Sequence, residues 1–592
     1  MGVSDRKKRV ICFDEFRVDL LAGEIHREGQ NIPVSEKPFQ VLALLLEHPG
    51  ELVTREQLSH KLWPAGIHVN FDHNINITIA RLRCALSDSA VNPKFIETVA
   101  SRGYRFIGNI VEENKNPGRS PLEQFRTEES KNRLAVLPFE NLIPGQHPMW
   151  LNDGITEEII ARLGHLFSRR LGIIARTSTL KYKGTTKSIA QIGRELKVSY
   201  VLEGNVQCMD DRMHITVHLV RVVDQTCLWT ESYEHEMCDV LVAQNVLAER
   251  VVQALGDQLF ADEKKNSIIR PTPNREATLL YLEGCHFAMK RTEGSLRKSV
   301  DCFERALQID PNYAQAYSAL AYSLSLLVVH GFGPSMEFSP RAIEAAVKGL
   351  EINGGLSECN TSLALIKFLY KWDWEGAEQL YRRAIQLNPS YALAHQLYSY
   401  YLSSMGRHEE ALRESQWAYE LDPLSLPIIT AVGIAHYFGR KYGNAIEVFL
   451  HALDLEPTFG MALMWLGAAY SQNSMHDEAI LVMERTRAHS PENTTIMSWL
   501  GKAYATAGKE NDAQILLKKL ETISQKRYVS AFDFALVYAG LGQMNLAFEW
   551  LEKAYEEMSP LLVISLKVDP RLDNLRADTR YESLSQRIWT GH

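Results

Sequence analysis

What the chain lacks narrows what it can be. Its eight cysteines are scattered, with no Cys-x-x-Cys pair and no zinc spacing, so they read as reduced thiols and no metal site is expected. The best apolar run, Leu324–Val329, is far shorter than a membrane span. No apolar segment follows the charged stretch Asp5–Arg9, which argues against a signal peptide and makes a cytoplasmic location the expectation. Positive charge is also scarce. The whole chain carries −8, and residues 1–110 hold 14 Lys and Arg against 13 Asp and Glu. Any DNA affinity of that segment should be modest and salt-sensitive.

Catalytic patterns are missing too. Gly184–Ser188 precedes a helix as a phosphate loop does, but Thr186 stands where a glycine should precede Lys187. Without glycines the backbone amides cannot approach a phosphate, so Ser188 reads as a helix N-cap. His235 and Glu236 are followed by Asp239 where a second histidine would be needed, and no Ser-His-Asp elbow appears. The chain therefore reads as a non-enzyme without a cofactor.

A length of 592 residues suggests about three to five domains. The most informative stretch is Asn70–Leu86. As a helix it places Ile75, Ile79, Leu82 and Leu86 on one face. The other face shows His73, Asn74, Ile77, Ala80 and Arg81, with Asn76 and Arg83 on its shoulder, and Asp72 is positioned as an N-cap. Arg pairs with guanine, Asn with adenine, and Ile or Ala can touch a thymine methyl. Ser35–Glu47 reads as an earlier amphipathic helix with Phe39, Leu42, Ala43 and Leu46 inward. Thr54 and Gln57 have capping-box spacing for a helix through Leu62. Phe95–Phe106 reads as a hairpin turning at Ser101-Arg102-Gly103. Three helices and a basic-tipped hairpin make a winged helix-turn-helix, whose third helix enters the major groove.

Residues 10–108 resemble the OmpR/PhoB-type winged-helix effector domain. The matching pieces are Leu58, Leu62-Trp63, Ile79–Arg83, Ile96–Val99 and Gly103–Phe106, with Val10–Leu20 and Glu24–Pro33 fitting the strands that precede the first helix. The resemblance implies that His73, Asn74, Asn76, Ile77 and Arg81 face bases, with Arg83 grouped on the same recognition helix. It implies that Thr98, Arg102 and Arg105 serve the DNA backbone or the wing. It also implies that Trp63 and Pro64 lie in a loop able to touch RNA polymerase. The wing departs from many members, having Ala100-Ser101 where a basic residue and glycine are usual. Only about ten residues stand before the first strand, against about 120 for a receiver domain, so no phosphoacceptor aspartate is expected.

The polar segment 111–131 reads as a linker. Residues 132–260 alternate strands and helices: Leu134–Phe139, helix Ile155–Leu166, Leu171–Arg176, helix Ile189–Leu196, a hairpin of Tyr200–Cys208 and Met213–Val222 around Asp210-Asp211, strand Leu228–Tyr233, and helix Val240–Leu255. This is an α/β domain with a mixed sheet. It is similar to the domain shared by the N-terminal part of TolB and FlgO-like proteins, through Ala135–Phe139, Asp153–Glu158, Arg176–Ser178, Tyr200–Gly204 and Leu228–Tyr233.

From residue 275 the chain repeats. Alanines stand at 377, 411, 445, 479, 513 and 547, each 34 residues apart. Seven residues on come Ala384, Ala418, Ala452, Thr486, Leu520 and Ala554, and prolines follow at 389, 423, 457 and 491. Small residues also recur at Gly433, Gly467, Gly501 and Ala535. This period and these small positions resemble the tetratricopeptide repeat. Residues 275–560 should form about eight helix pairs in a superhelix with a concave groove. An insertion is expected near His330–Ser339, and residues 561–592 should form a C-terminal cap. Tyr398, His436 and Trp465 are aromatics that could line the groove or fill the core.

The fold expected is thus multidomain: a winged helix-turn-helix, a central α/β domain and an all-α solenoid. The function expected is sequence-specific binding of double-stranded DNA in transcription regulation. The array would take a protein or peptide partner, or drive self-association, with RNA polymerase as a further contact. The alternative is a repeat scaffold whose winged helix contacts protein.

Overall fold

The computed structural model describes residues 10–14, 16–19, 24–27, 30–32, 36–47, 49–62, 71–86, 88, 93–99, 102–108, 110–111, 133–141, 156, 159–160, 163–164, 171–209, 212–236 and 274–589. Trp63, Pro64, the linker, the Asp210-Asp211 turn and the helix expected over Val240–Leu255 lie outside them. The chain divides into two compact units, Met1–Ser120 and Pro121–His592.

In the first unit, the two runs read before the first helix are each a hairpin: β1 (Val10–Phe13) with β2 (Phe16–Asp19), and β3 (Glu24–Arg27) with β4 (Gln30–Ile32). The later β8 (Ile110–Val111) pairs with β1 and completes a five-stranded sheet in the order β4-β3-β2-β1-β8. Helix α1 (Glu36–Glu47) buries Val41 and Leu45 as well as Phe39, Leu42 and Leu46. Its apolar stripe is wide because α1 shares one core with this sheet and with α3 (Phe71–Ala85). Phe13, Phe16, Phe95 and Phe106 meet with centroids 4.9–5.5 Å apart, an edge-rich cluster that joins the sheet to the wing.

Helix α2 (Arg55–Leu62) begins with the expected box. The Gln57 amide donates to Thr54 Oγ1 at 3.2 Å, and the Thr54 amide donates to Gln57 Oε1 at 2.8 Å. The residues before it form a strand not foreseen in the sequence, β5 (Leu52–Thr54). It pairs with β7 (Gly103–Phe106), which pairs with β6 (Ile96–Val99). Gly103 is required at this join: a Cβ there would lie 2.1 Å from the Val53 carbonyl oxygen.

The second unit opens with a mixed sheet in the order β11-β9-β12-β13-β14, the short β10 (Glu140–Asn141) also pairing with β12. β9 is Arg133–Val136, β11 Gly172–Ile173, β12 Tyr200–Met209, β13 Arg212–Arg221 and β14 Thr226–Glu236. β9 runs parallel to β11 and β12, while β12, β13 and β14 form an antiparallel meander. Ile215, Val217 and Leu219 of β13 are buried, as their alternation requires. The helix Ile189–Leu196 is capped by Ser188 in a full capping box with Gln191, and Lys187 pairs with Glu195 at 2.8 Å. The stretch that resembled a phosphate loop is a helix start with its lysine already engaged.

Eight helix pairs follow, from Arg275–Met289 with Glu293–Ile309 to Ala531–Gly540 with Met544–Glu556. The periodic alanines are the contact points: Ala377, Ala411, Ala445, Ala513 and Ala547 are all fully buried. Gly433 and Gly467 lie under the second helix of their own pair, where a Cβ would come within 2.3 Å of Phe449 and 2.6 Å of Met483. The insertion lengthens both helices of the second pair, Ala314–Val329 and Ser335–Ile352.

The sheet domain docks on the array at the turns between its third and fifth pairs. The Ala175 amide donates to the Leu421 carbonyl at 2.8 Å, and the Ile173 amide to Ser390 Oγ at 3.4 Å. The buried Arg133 guanidinium pairs with the buried Glu420 carboxylate. Ser178 Oγ donates to Asp422 Oδ1 at 2.5 Å and accepts from the Leu424 amide at 2.9 Å.

Burial raises the Asp422 pKa from 3.8 to about 7, against the lowering effect of its hydrogen bonds from Ser178. A carboxyl with a raised folded-state pKa binds its proton more tightly when folded. The contribution of Asp422 to stability therefore falls as pH rises from about 4 to about 7 and is regained on acidification. Asp422→Asn should reduce the slope of the full chain's melting temperature across that window, the remainder belonging to groups such as Asp533, whose pKa burial also raises to about 7. An unchanged pH profile in the variant would show that Asp422 does not titrate there.

Candidate nucleic-acid interface

Helix α3 buries Ile75, Ile79, Leu82 and Leu86, and leaves Asn76, Ala80 and Arg81 exposed. It begins at Phe71, so Asp72 lies inside its first turn rather than at the cap. His73, Asn74 and Ile77 are on the helix, but their side chains are outside the described set. Arg81 makes no hydrogen bond or ion pair among the described residues. Its planar fork of five donors is thus a free group on the outer face.

Arg83 corrects the sequence reading. It was grouped with the base-facing residues, yet it is buried, and its Nη2 donates to the Ile96 carbonyl at 2.6 Å and to Thr98 Oγ1 at 2.9 Å. At this turn of the helix the shoulder faces β6, so the guanidinium fixes the helix to the wing instead of reaching DNA. Asp88 secures the same strand, its carboxylate accepting from the Lys94 amide at 2.7 Å and the Ile96 amide at 2.9 Å.

Asn76 is exposed, but its carbonyl oxygen is engaged. Oδ1 accepts from Tyr104 Oη at 2.8 Å and from Arg55 Nη2 at 3.0 Å. Arg55 also donates to Tyr104 Oη at 3.2 Å and lies 5.4 Å from the ring centroid. With both lone pairs of Oδ1 in use, Asn76 retains only its amide donors. The two-point pairing with adenine, which needs that oxygen, is closed to it in this geometry.

The triad Arg55–Asn76–Tyr104 thus joins α2, α3 and the wing at one point. Arg55 is a member of the site that the sequence analysis does not single out. Its signal was an arginine opening α2 in a domain whose wing carries a tyrosine.

The wing turn closes by the Arg102 amide donating to the Val99 carbonyl at 3.0 Å, and the Arg55 amide donates to the Arg102 carbonyl at 3.2 Å. The Arg102 side chain is exposed. Arg105 is half-exposed and pairs across the hairpin with Glu97 at 3.3 Å. Such a surface pair is worth about 0–1 kcal/mol. Thr98 is exposed while its hydroxyl accepts from Arg83.

A recognition helix clamped to a small sheet, one free arginine on its outer face and a second on the wing define a winged-helix DNA-binding domain. Residues 29–106 match the family described as "Transcriptional regulatory protein, C terminal", and residues 130–250 match the "HilA/YgeH-like transcriptional regulator, second domain". The chain is 25% identical over 448 residues to the transcriptional regulator HilA of Salmonella typhimurium, covering 75% of each. It is 30% identical over 237 residues to putative adenylate cyclase 3 of Rhizobium meliloti, spanning only 40% of that relative's length and 40% of its own. Among solved structures, the Klebsiella pneumoniae RstA DNA-binding domain in complex with RstA box aligns at 29% identity and TM-score 0.16, over 17% of this chain and 98% of that one. The first unit is a transcriptional regulator's DNA-binding domain, and the second domain too has its match among regulators.

Proposed function

We propose that this chain regulates transcription by binding double-stranded DNA through α3 and the wing, with Arg81 reading bases and Arg102 holding phosphate. The single observation that carries this reading is that Arg81 stands free on the outer face of α3 while Asn76 and Arg83 are engaged in positioning the helix. His73, Asn74 and Ile77 are proposed to share the base-facing surface, Asn76 as a donor only. Arg105 would exchange Glu97 for a phosphate, and Trp63 and Pro64 would face RNA polymerase. The array would supply protein contacts or self-association, bringing two winged helices onto paired sites. Tethering the domains raises the effective concentration of the second to about millimolar, so weak single domains suffice.

We propose a cytoplasmic protein that is not an enzyme. No described helix is long and apolar enough to cross a membrane. The adenylate cyclase relative matches over too small a share of its length to bring that activity here.

The test compares residues 1–120 with the full chain on genomic fragments by gel shift. Selective retention of a subset of fragments by both, tighter for the full chain on two-site fragments, is expected. Uniform binding of all fragments, or none, would reject sequence-specific recognition.

A further inference from the structure

The inner face of the array is closed in a way the repeat pattern does not require. The loop of the inserted second pair reaches the seventh pair, so that a Cβ on Gly331 would lie 2.8 Å from Thr495 Oγ1. From the other side comes the C-terminal segment. Rather than only sealing the last pair, it runs back across the first helices. Trp589 lies against Trp374, the rings tilted by 33° with centroids 4.3 Å apart, and the Arg571 guanidinium sits 3.7 Å from the Trp499 ring centroid. The concave groove expected from the repeats is therefore narrowed by the chain itself.

What remains is a chamber of about 980 Å³, at the upper end of the size of small-molecule sites. Phe332, Leu397, Phe438, Met464, Trp465 and Trp499 are among its walls. Of the groove candidates, Trp465 lines it, whereas Tyr398 and His436 are buried in the core.

Charge of both signs lines the chamber, with Lys290 and Arg527 beside the glutamates. Glu337, Glu456 and Glu492 on its lining are exposed at the rim, and Glu293 is paired with Arg297. Arg571, 5% exposed, is buried together with its ion-pair partner Asp569. Asp569 takes its Nε and Nη2, while Nη1 has no hydrogen-bond partner among the described residues. Arg291, also on the lining, donates to Tyr322 Oη, and its Nε lacks a partner. A buried guanidinium N–H without an acceptor is costly even where the rest of the group is paired. Its natural complement is an anionic oxygen.

We propose that this chamber binds a small organic carboxylate with an aromatic or apolar body, its carboxylate on the Arg571 side of the chamber and its body against Trp465 and Phe438. A peptide threading the groove would meet the C-terminal segment in its path, so the ligand is one the chamber can enclose.

The probes are naphthoate and octanoate, titrated calorimetrically into the full chain, with naphthamide, octanamide and inorganic phosphate as comparisons. Saturable one-site binding of at least one carboxylate is expected, its amide weaker by about tenfold or more, and phosphate weaker still. The paired change Asp569→Asn with Arg571→Gln removes both charges together and should reduce binding like the amide. Met464→Trp, which adds bulk at a half-exposed wall, should change the affinity for the carboxylate while helix content and melting stay as in wild type. Binding of neither carboxylate, equal binding of carboxylate and amide, or wild-type carboxylate binding by the paired variant would each overturn the proposal. No DNA enters the measurement, so its failure would leave the regulator reading standing.

Discussion

Replacing Arg83 by alanine is expected to destabilise the DNA-binding unit, not to redirect it. The guanidinium is buried and serves the Ile96 carbonyl and the Thr98 hydroxyl. Its removal leaves a buried acceptor without a donor and detaches α3 from β6. Hydrogen bonds to a charged group contribute about 1.5–3 kcal/mol, and an unsatisfied buried acceptor costs about 1–3 kcal/mol. A loss of about 2–4 kcal/mol is therefore expected, a large part of the stability of so small a unit. In thermal or urea melts of residues 1–120, Arg83→Ala should unfold well before wild type, and DNA binding should fall alike on specific and random duplex. A variant that melts with wild type and loses only base discrimination would put Arg83 back on the DNA.

The second large effect is expected far from DNA. Arg133 on β9 and Glu420 at the end of the fourth pair are both buried, and their ion pair joins the sheet domain to the array. Glu420→Ala takes the carboxylate from a desolvated guanidinium. Breaking a buried pair from one side costs about 3–5 kcal/mol, whereas removing both charges is often close to neutral. The single variant should show rapid hydrogen exchange in β9 and β11 with the array's later pairs unaffected. Arg133→Met combined with Glu420→Leu should restore much of the protection. Equal exchange in the single variant and wild type would mean that this contact does not hold the domain.

How far the sequence revealed this arrangement depended on whether its signals were local. The alanines from 377 to 547 could be read because each packs one helix of a pair against the other at a fixed spacing, and all prove buried. The Thr54–Gln57 and Ser188–Gln191 boxes were equally legible, since a cap is a contact between residues three apart. β5 was hidden because three residues carry too little alternation, and because its strand character comes from pairing with β7. In the candidate site, helical periodicity placed Arg81 outside but could not separate Arg83, which lies on the shoulder where the neighbouring strand decides the outcome. Arg55, Asn76 and Tyr104 meet across separations of 21 to 49 residues, and no spacing rule announces such a contact. The C-terminal segment is a similar case. Its local pattern is that of a cap, while its partners, Trp374, Arg440 and Trp499, lie in distant pairs.

The central claim is that α3 reads sequence through Arg81 while the wing holds the backbone through Arg102. The most direct measurement is the ratio of affinities for a selected site and a random duplex, taken with the full chain over a range of salt. Arg81→Ala should lower that ratio by about 1–3 kcal/mol while its melting temperature stays that of wild type. Arg102→Ala should weaken both duplexes equally and reduce the salt slope by about one. If Arg81→Ala keeps the wild-type ratio, α3 does not present the recognition face assigned to it and the account is contradicted.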